Sequence, residues 1–269
     1  MNVRTRSRLA WSAALGSIAI TALWVILGFV WAISDQPALA LLTLAVVIAI
    51  APVGATIAAK TGNPVGWALL AVLGAVSVNL ASDAYATYTL TIAERPLPLA
   101  ALAALVGNLS FFLSLVLFVA VPLLYPTGTP RWRWLWRAYV AATITMVVGF
   151  TILPGDLSLN GGQSLANPYA IDALKKPVGV ILALAGVTIS ASVLLSIVAL
   201  ILRFRESRGD ERQQIRWLAY VGVTFLILFV AGLILGSAFG GNDTAENAQP
   251  SSPSEPRSSV SPPHVPSRS

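Results

Sequence analysis

Cysteine is absent from this 269-residue chain, histidine occurs once, and only 10% of the residues are charged. The lack of cysteine excludes disulfides and cysteine-ligated metals. The single histidine, His264, lies in a tail rich in proline and serine and cannot act as a helical phosphoacceptor. The sequence also lacks a glycine-rich phosphate loop, an H-E-x-x-H motif and a G-x-S-x-G motif. We therefore predict neither an enzyme nor a bound cofactor.

Apolar residues are unusually abundant. The hydrophobic fraction is 56% and the mean hydropathy is +0.77, whereas a soluble domain carries about 25% charged residues. This composition predicts an all-α, polytopic integral membrane helical bundle in the cell membrane, with the lipid bilayer as its main partner. The net charge of +6 would suit a nucleic-acid partner. We predict none, because the basic residues lie in short loops between apolar runs.

Charge-free runs predict about seven transmembrane helices, since a spanning helix needs about 20 mainly apolar residues. Residues 1–8 form a basic amino terminus, residues 9–241 the membrane domain and residues 242–269 a tail. Fourteen of the last twenty residues are proline or serine, which predicts a disordered tail. The predicted spans are 9–33, 37–59, 64–91, 98–124, 134–154, 177–203 and 215–239.

The distribution of lysine and arginine predicts the orientation. Alternating spans place 12 of the 17 basic residues on the side of the amino terminus and five on the other side. Basic residues accumulate on the cytoplasmic side, so we predict the amino terminus inside and the carboxyl terminus outside. Turn residues mark two of the inner connections. Gly62 suits the end of a helix, Asn63 an N-cap and Pro64 a first helical turn, and "YPTGTP" (125–130) suits a tight turn.

Asp83 is the one acidic residue inside a long predicted helical run. Asn79 and Thr87 lie four residues away on the same helical face, and Tyr85 and Tyr88 are close in sequence. Acidic residues inside membrane spans are often functional, which makes this group a candidate outer ligand- or ion-sensing site. A solvated helix end is the alternative, because Asp83 lies about twenty residues after the helix start.

Other polar or small residues have structural and functional interpretations. Asn108 suits a hydrogen bond between helices. The connection at residues 154–176 suits either an ordinary connector or a lid over the outer mouth of the bundle. Small residues at a spacing of four predict close helix packing in the seventh span, within the bundle or across a homodimer. These residues are Gly232, Gly236 and Gly240.

The charged stretch "RFRESRGDERQQIRW" (203–217) connects the sixth and seventh predicted spans. Gly209 suits a helix end, Asp210 an N-cap, and Gln213 completes a capping box. The 32 residues 177–208 would make a helix of about 48 Å, longer than the hydrocarbon layer of about 30 Å. We therefore predict a charged helical elbow on the cytoplasmic side as the candidate signalling element. Its candidate residues are Arg208, Gly209, Asp210, Glu211, Arg212, Gln213, Gln214 and Trp217.

The elbow resembles the R-F-R-x-(A/S)-x-G-x-E-R-Q-Q segment in the membrane region of a family of actinobacterial sensor histidine kinases. "GNPVGW" (62–67), "LLYPTGTPRWRW" (123–134) and "ANPYAID" (166–172) resemble other stretches of that family. The resemblance covers roughly residues 10–240. It implies a sensory input module of a two-component system, with a homodimer or a separate signalling protein as its partner.

The chain departs from that family beyond the elbow. There, one further span leads to a cytoplasmic kinase, whereas here no phosphoacceptor helix or ATP-binding domain follows the seventh span. We therefore expect a non-catalytic membrane protein. A small transporter or channel subunit is an alternative and predicts solute flux that depends on Asp83. A truncated, non-functional kinase fragment is another, and a kinase core in a different frame just downstream in the DNA would indicate it.

Overall fold

A computed structural model describes residues 2–30, 37–93, 97–125, 127–159 and 164–206. Within these ranges, six helices are long and apolar enough to cross a membrane. The chain is therefore an all-α, multi-pass membrane protein. The predicted seventh helix (215–239), the tail (242–269) and the three glycines of the seventh span lie outside the described residues. The predicted orientation across the membrane stays a prediction.

The elements follow one another along the chain with short connections. Two short strands stand between the fifth and sixth helices, and a 3₁₀ turn at Asp172–Leu174 precedes the last helix. The elements are α1 (Val3–Val30), α2 (Pro37–Thr61), α3 (Pro64–Thr91), α4 (Ala100–Leu124), α5 (Arg133–Ile152), β1 (Asp156–Ser158), β2 (Ser164–Ala166) and α6 (Lys175–Glu206).

Successive helices alternate in direction, so the bundle has two distinct ends. The basic end is where α1 and α5 begin and α6 ends, and it carries the helix-end arginines. The hairpin end carries β1 and β2. Among the described elements, α1, α2 and α3 pack against one another, α3 packs most extensively on α4, and α4 contacts the α5–α6 pair. The α3–α4 pair therefore connects α1 and α2 to the α5–α6 pair.

Small residues allow the helices to approach closely. Ala14 of α1 and Ala51, Ala55 and Ala58 of α2 are fully buried in one cluster. In lipid, close backbone packing of this kind replaces the hydrophobic effect as the main force between helices. Polar packing adds to it between α1 and α3. There, the fully buried Ser77 hydroxyl lies 3.1 Å from the Thr21 hydroxyl and 3.1 Å from the Ser17 carbonyl oxygen.

The long connection before α6 is more ordered than its glycine- and asparagine-rich sequence indicates. β1 and β2 pair antiparallel, with Leu157 opposite Leu165. Leu157 and Leu159 are buried against Ala104 and Leu105 of α4. Apolar contacts with the helix bundle therefore supplement the three-residue ladder, which would be marginal by itself.

The sixth helix has the predicted excess length. It runs for 32 residues, or about 48 Å at 1.5 Å per residue, against about 30 Å of hydrocarbon. Its last residues, which include Arg203, Arg205 and Glu206, belong to the first part of the predicted elbow. The eight candidate elbow residues from Arg208 to Trp217 lie outside the described residues.

Candidate functional site

The α2–α3 connection at the basic end forms the predicted stop and restart. Gly62 has a φ of +67°, the left-handed conformation that favours glycine. The Asn63 side chain accepts a hydrogen bond of 2.9 Å from the Val65 amide, and Pro64 opens α3. The predicted roles of all three residues are confirmed. This local chemistry fixes the angle at which α3 leaves α2.

Arg6 of α1 holds the end of α2. Its Nε donates to the Ala59 carbonyl oxygen at 3.2 Å, and its Nη2 to the Lys60 carbonyl oxygen at 3.5 Å. Carbonyl groups in the last turn of a helix have no donor within the helix, and a cation there complements the helix dipole. A Cβ on Gly62 would lie 2.5 Å from Nη1 of Arg6. The glycine therefore also leaves room for the arginine.

The α4–α5 turn rests on the cap of α3. Gly128 has a φ of +77°, and its amide donates to the Leu124 carbonyl oxygen at 2.7 Å. A Cβ on Gly128 would lie 2.5 Å from both Oδ1 of Asn63 and Cδ of Pro64. The predicted tight turn is confirmed, and its contact with the cap brings residues 123–134 against residues 62–67.

The end of α6 is attached to the same turn. Arg203 donates from Nη1 to the Tyr125 carbonyl oxygen and from Nη2 to the Thr129 carbonyl oxygen. Hydrogen bonds to charged groups contribute about 1.5–3 kcal/mol. Arg131 and Glu206 form a two-pronged ion pair with distances of 2.7 and 2.9 Å. The end of α6 therefore contacts the turn between α4 and α5 through both arginine–carbonyl bonds and this ion pair.

The charged groups of this cluster orient the end of α6 more than they stabilise the fold. The hydrogen bond to Glu206 raises the pKa of Arg131, as expected for a guanidinium paired with a carboxylate. Both partners are substantially exposed, so water and salt screen their attraction. A paired guanidinium and carboxylate nonetheless impose one relative orientation. We call the set of Arg6, Asn63, Gly128, Arg131, Arg203 and Glu206 the basic-end network.

The predicted outer polar group divides between two environments. Asp83 is buried, with 6% of its surface exposed, and so does not form a solvated helix end. A Cβ on Gly107 of α4 would lie 3.5 Å from the Asp83 amide nitrogen. Asn79 donates to the Gly107 carbonyl oxygen at 3.0 Å. The Asn79 side chain and the Asp83 backbone therefore lie at the tight α3–α4 interface.

The remaining members of that group have different surroundings. Tyr85 is 38% exposed and donates to the Pro98 carbonyl oxygen at 2.7 Å, while Tyr88 is half-buried. Thr87 is buried, and its hydroxyl has no hydrogen-bond partner among the described residues. In those residues there is also no group of three or more side chains that could hold a metal ion. The structure therefore places Asn79 and Asp83 at the α3–α4 interface and Tyr85 against the Pro98 carbonyl oxygen, and a shared site for the four residues stays a prediction.

Gly66 has a structural role that was not predicted, although it lies in the "GNPVGW" stretch. A Cβ there would lie 2.4 Å from the Ala58 amide nitrogen and 2.8 Å from the Gly54 carbonyl oxygen. The signal that could have found this contact is the small-xxx-small spacing of Gly54 and Ala58 on α2. This close approach holds α2 and α3 together below their connecting turn.

Asn167 was also missed as an individual residue. It is buried, and its Nδ2 donates at 3.0 Å to the carbonyl oxygens of both Thr151 and Leu153. Its Oδ1 accepts a 3.0 Å hydrogen bond from the Tyr169 amide. One side chain therefore joins the "NPY" loop to the unpaired carbonyls at the end of α5. The position before Pro168 in a polar loop was the available signal.

Replacing Asn167 with alanine is expected to loosen the hairpin end. The change removes two donors from helix-end carbonyls and one acceptor from the loop, a loss of about 1–3 kcal/mol. Hydrogen–deuterium exchange should become faster across β1 and β2 and stay unchanged at the basic end. Ser164→Ala, at an exposed position in β2, is the control. Equal exchange in both variants would contradict the anchoring role.

The fold and both ends together define a multi-pass helical membrane protein with a charged cluster at one end and a hairpin at the other. No protein-family model, curated protein or solved structure matches this chain.

Proposed function

We propose that this protein is a non-catalytic sensory membrane module that signals through α6 to a separate signalling protein at the basic end. The observation that carries the proposal is the attachment of α6 to the α4–α5 turn by Arg203 and Glu206. A change in the packing of α6 on α4 and α5 would act on this attachment at the end of α6 next to the elbow.

Discrete bonds make the attachment suited to switching. Two donors of one guanidinium bind two carbonyl oxygens of a tight turn, so a small rotation of α6 breaks both bonds together. Packed elements of this kind have separate arrangements and do not deform gradually. The attached and detached states would present residues 207–217 differently to a partner, which is what a signalling element requires.

The resemblance to sensor histidine kinases supports the same function. Three of its four stretches, at residues 62–67, 123–134 and 203–206, contribute to the basic-end network. The family's own elbow leads towards a kinase, and we propose that here a separate kinase or response regulator takes that place. A second copy of the chain is the alternative recipient, and the experiment below distinguishes the two.

The test replaces Arg212, Gln213 and Gln214 together with alanine in the organism that makes the protein. We expect loss of a co-purifying two-component protein and altered downstream transcripts, with unchanged protein level in the membrane. The charge-matched control is Arg257→Ala with Ser258→Ala and Ser259→Ala in the tail, which should keep both. If the partner and the transcripts are the same in both triple variants, the signalling function is wrong. Loss of self-association alone would indicate a dimer contact.

A further inference from the structure

A cavity of about 230 Å³ opens at the hairpin end between α4, the end of α5 and β1. Its apolar wall includes Leu105, Leu109 and Phe112 from α4 and Phe150 from α5. It lies on a different side of α4 from the Asp83 interface, which is formed around Gly107. The cavity is therefore separate from the polar group predicted from the sequence.

The walls of this cavity are held in place before any ligand binds. The rings of Phe112 and Phe150 stack with centroids 4.4 Å apart and an interplanar angle of 12°. Asn167, which also lines the cavity, fixes the loop through its three side-chain hydrogen bonds. A preformed, mainly apolar cavity with a few polar groups is the usual form of a small-molecule site.

The polar groups of the lining differ in what they offer to a ligand. The Asn167 amide donates both of its bonds to helix-end carbonyls, and Asn108 donates to the Ala104 carbonyl oxygen at 2.9 Å. Asp156 is the one charged residue of this lining and is exposed. A carboxylate beside an apolar chamber selects a ligand with an apolar body and a cationic head.

Size limits the ligand further. An apolar cavity of about 150 Å³ holds one benzene molecule, so about 230 Å³ holds a phenyl-sized group with a chain of two or three atoms. Such a chain is also needed to join a buried ring to a head group near the exposed carboxylate.

From these observations we infer that the cavity between α4, α5 and the hairpin binds a small primary amine with an aromatic or branched apolar body. The ammonium group lies at Asp156, and the body lies against Leu109 and the phenylalanine pair. This inference goes beyond the proposed signalling function and does not depend on it, because binding is measured on the purified protein without any partner.

The test uses three probes that share a phenyl ring and differ in the charge of the head group. They are 2-phenylethylamine, 2-phenylethanol and phenylacetate. Titration calorimetry or ligand-detected NMR on the full chain in lipid nanodiscs measures their relative affinity. We expect the amine to bind about two- to fivefold more tightly than the alcohol, because water screens the attraction of the exposed carboxylate, and phenylacetate to bind more weakly than either. Empty nanodiscs measure partition into lipid.

Two variants locate the binding. Asp156→Asn should remove the preference for the amine over the alcohol, while Asp172→Asn, a charge-matched change at the same end but outside the lining, should keep it. Leu109→Trp should fill the chamber and abolish binding of all three probes. Because Asp156 is exposed, its variant tests the inference even if the tryptophan variant does not fold.

Several results would overturn the inference. Equal affinities for the three probes would show that the carboxylate does not select the head group. An unchanged amine preference in Asp156→Asn would place the amine elsewhere. Binding that persists in a folded Leu109→Trp protein would indicate partition into lipid. If no probe binds and a lipid acyl chain is found in the cavity, the occupant is a lipid and the amine site is wrong.

Discussion

Replacing Gly66 with alanine is expected to lower the free energy of unfolding by about 3 kcal/mol, at the upper end of the usual cost of overpacking. The added Cβ would lie 2.4 Å from the Ala58 amide nitrogen and 2.8 Å from the Gly54 carbonyl oxygen. Both are backbone atoms of α2, so no side chain can move aside. The two helices must separate, which disturbs the cap at Asn63 and the turn that rests on it.

Gly74→Ala is the matched control for this prediction. Gly74 belongs to the same helix, and a Cβ there would meet nothing within 4 Å. Alanine favours a helix interior over glycine by about 0.8–1.0 kcal/mol, so this variant should be neutral or more stable. Reversible unfolding in mixed SDS micelles, followed by far-UV circular dichroism, measures both. Equal stability of the two variants would show that α2 and α3 are not held by this close approach.

Local chemistry at the basic end could be predicted from the sequence, because it depends on neighbouring residues. Gly62, Asn63 and Pro64 act within one helix boundary, and the tight turn around Gly128 is equally local. The long apolar runs gave the helices for a similar reason, since a backbone in lipid must pair its own polar groups. The excess length of α6 also followed from counting residues between Pro177 and the charged stretch.

Contacts between distant segments could not be predicted in the same way. Arg203 and the Tyr125 carbonyl oxygen are 78 residues apart, and no pattern in either stretch identifies the other as its partner. The clash that excludes a side chain at Gly66 exists only because α2 and α3 are neighbours at that height. The charge of Asp83 indicated either a sensing site or a solvated helix end, whereas its burial depends on which face of α3 meets Gly107. Burial and pairing between helices decide these cases.

α4 connects the hairpin-end cavity with the basic-end network. Its first half lines the hairpin-end cavity through Leu105 and Phe112, and its last residues lead into the turn held by Arg203. A ligand that moved Phe112 would act on the basic end through the second half of α4, which contains Pro122. Coupling of this kind requires a two-state element that both sites bias, and the α6 attachment is the candidate that can be tested directly.

Replacing Arg203 with alanine is expected to detach the end of α6 from the α4–α5 turn. The variant loses two hydrogen bonds from a charged donor, and a loss of about 2 kcal/mol shifts the attached–detached equilibrium about thirtyfold. Because the chain has no cysteine, spin labels at Thr127→Cys and Ile201→Cys report this distance without background. The parent should give one narrow distance distribution and the alanine variant a longer, broader one.

Arg205→Ala, which removes an equal charge from an exposed position one half-turn on, should leave the distribution narrow. Arg203→Lys should give an intermediate result, because one ammonium group cannot reproduce the fixed fork that reaches both carbonyls. An alanine variant with the parent's distribution would mean that packing alone holds α6, and signalling through this attachment would be wrong.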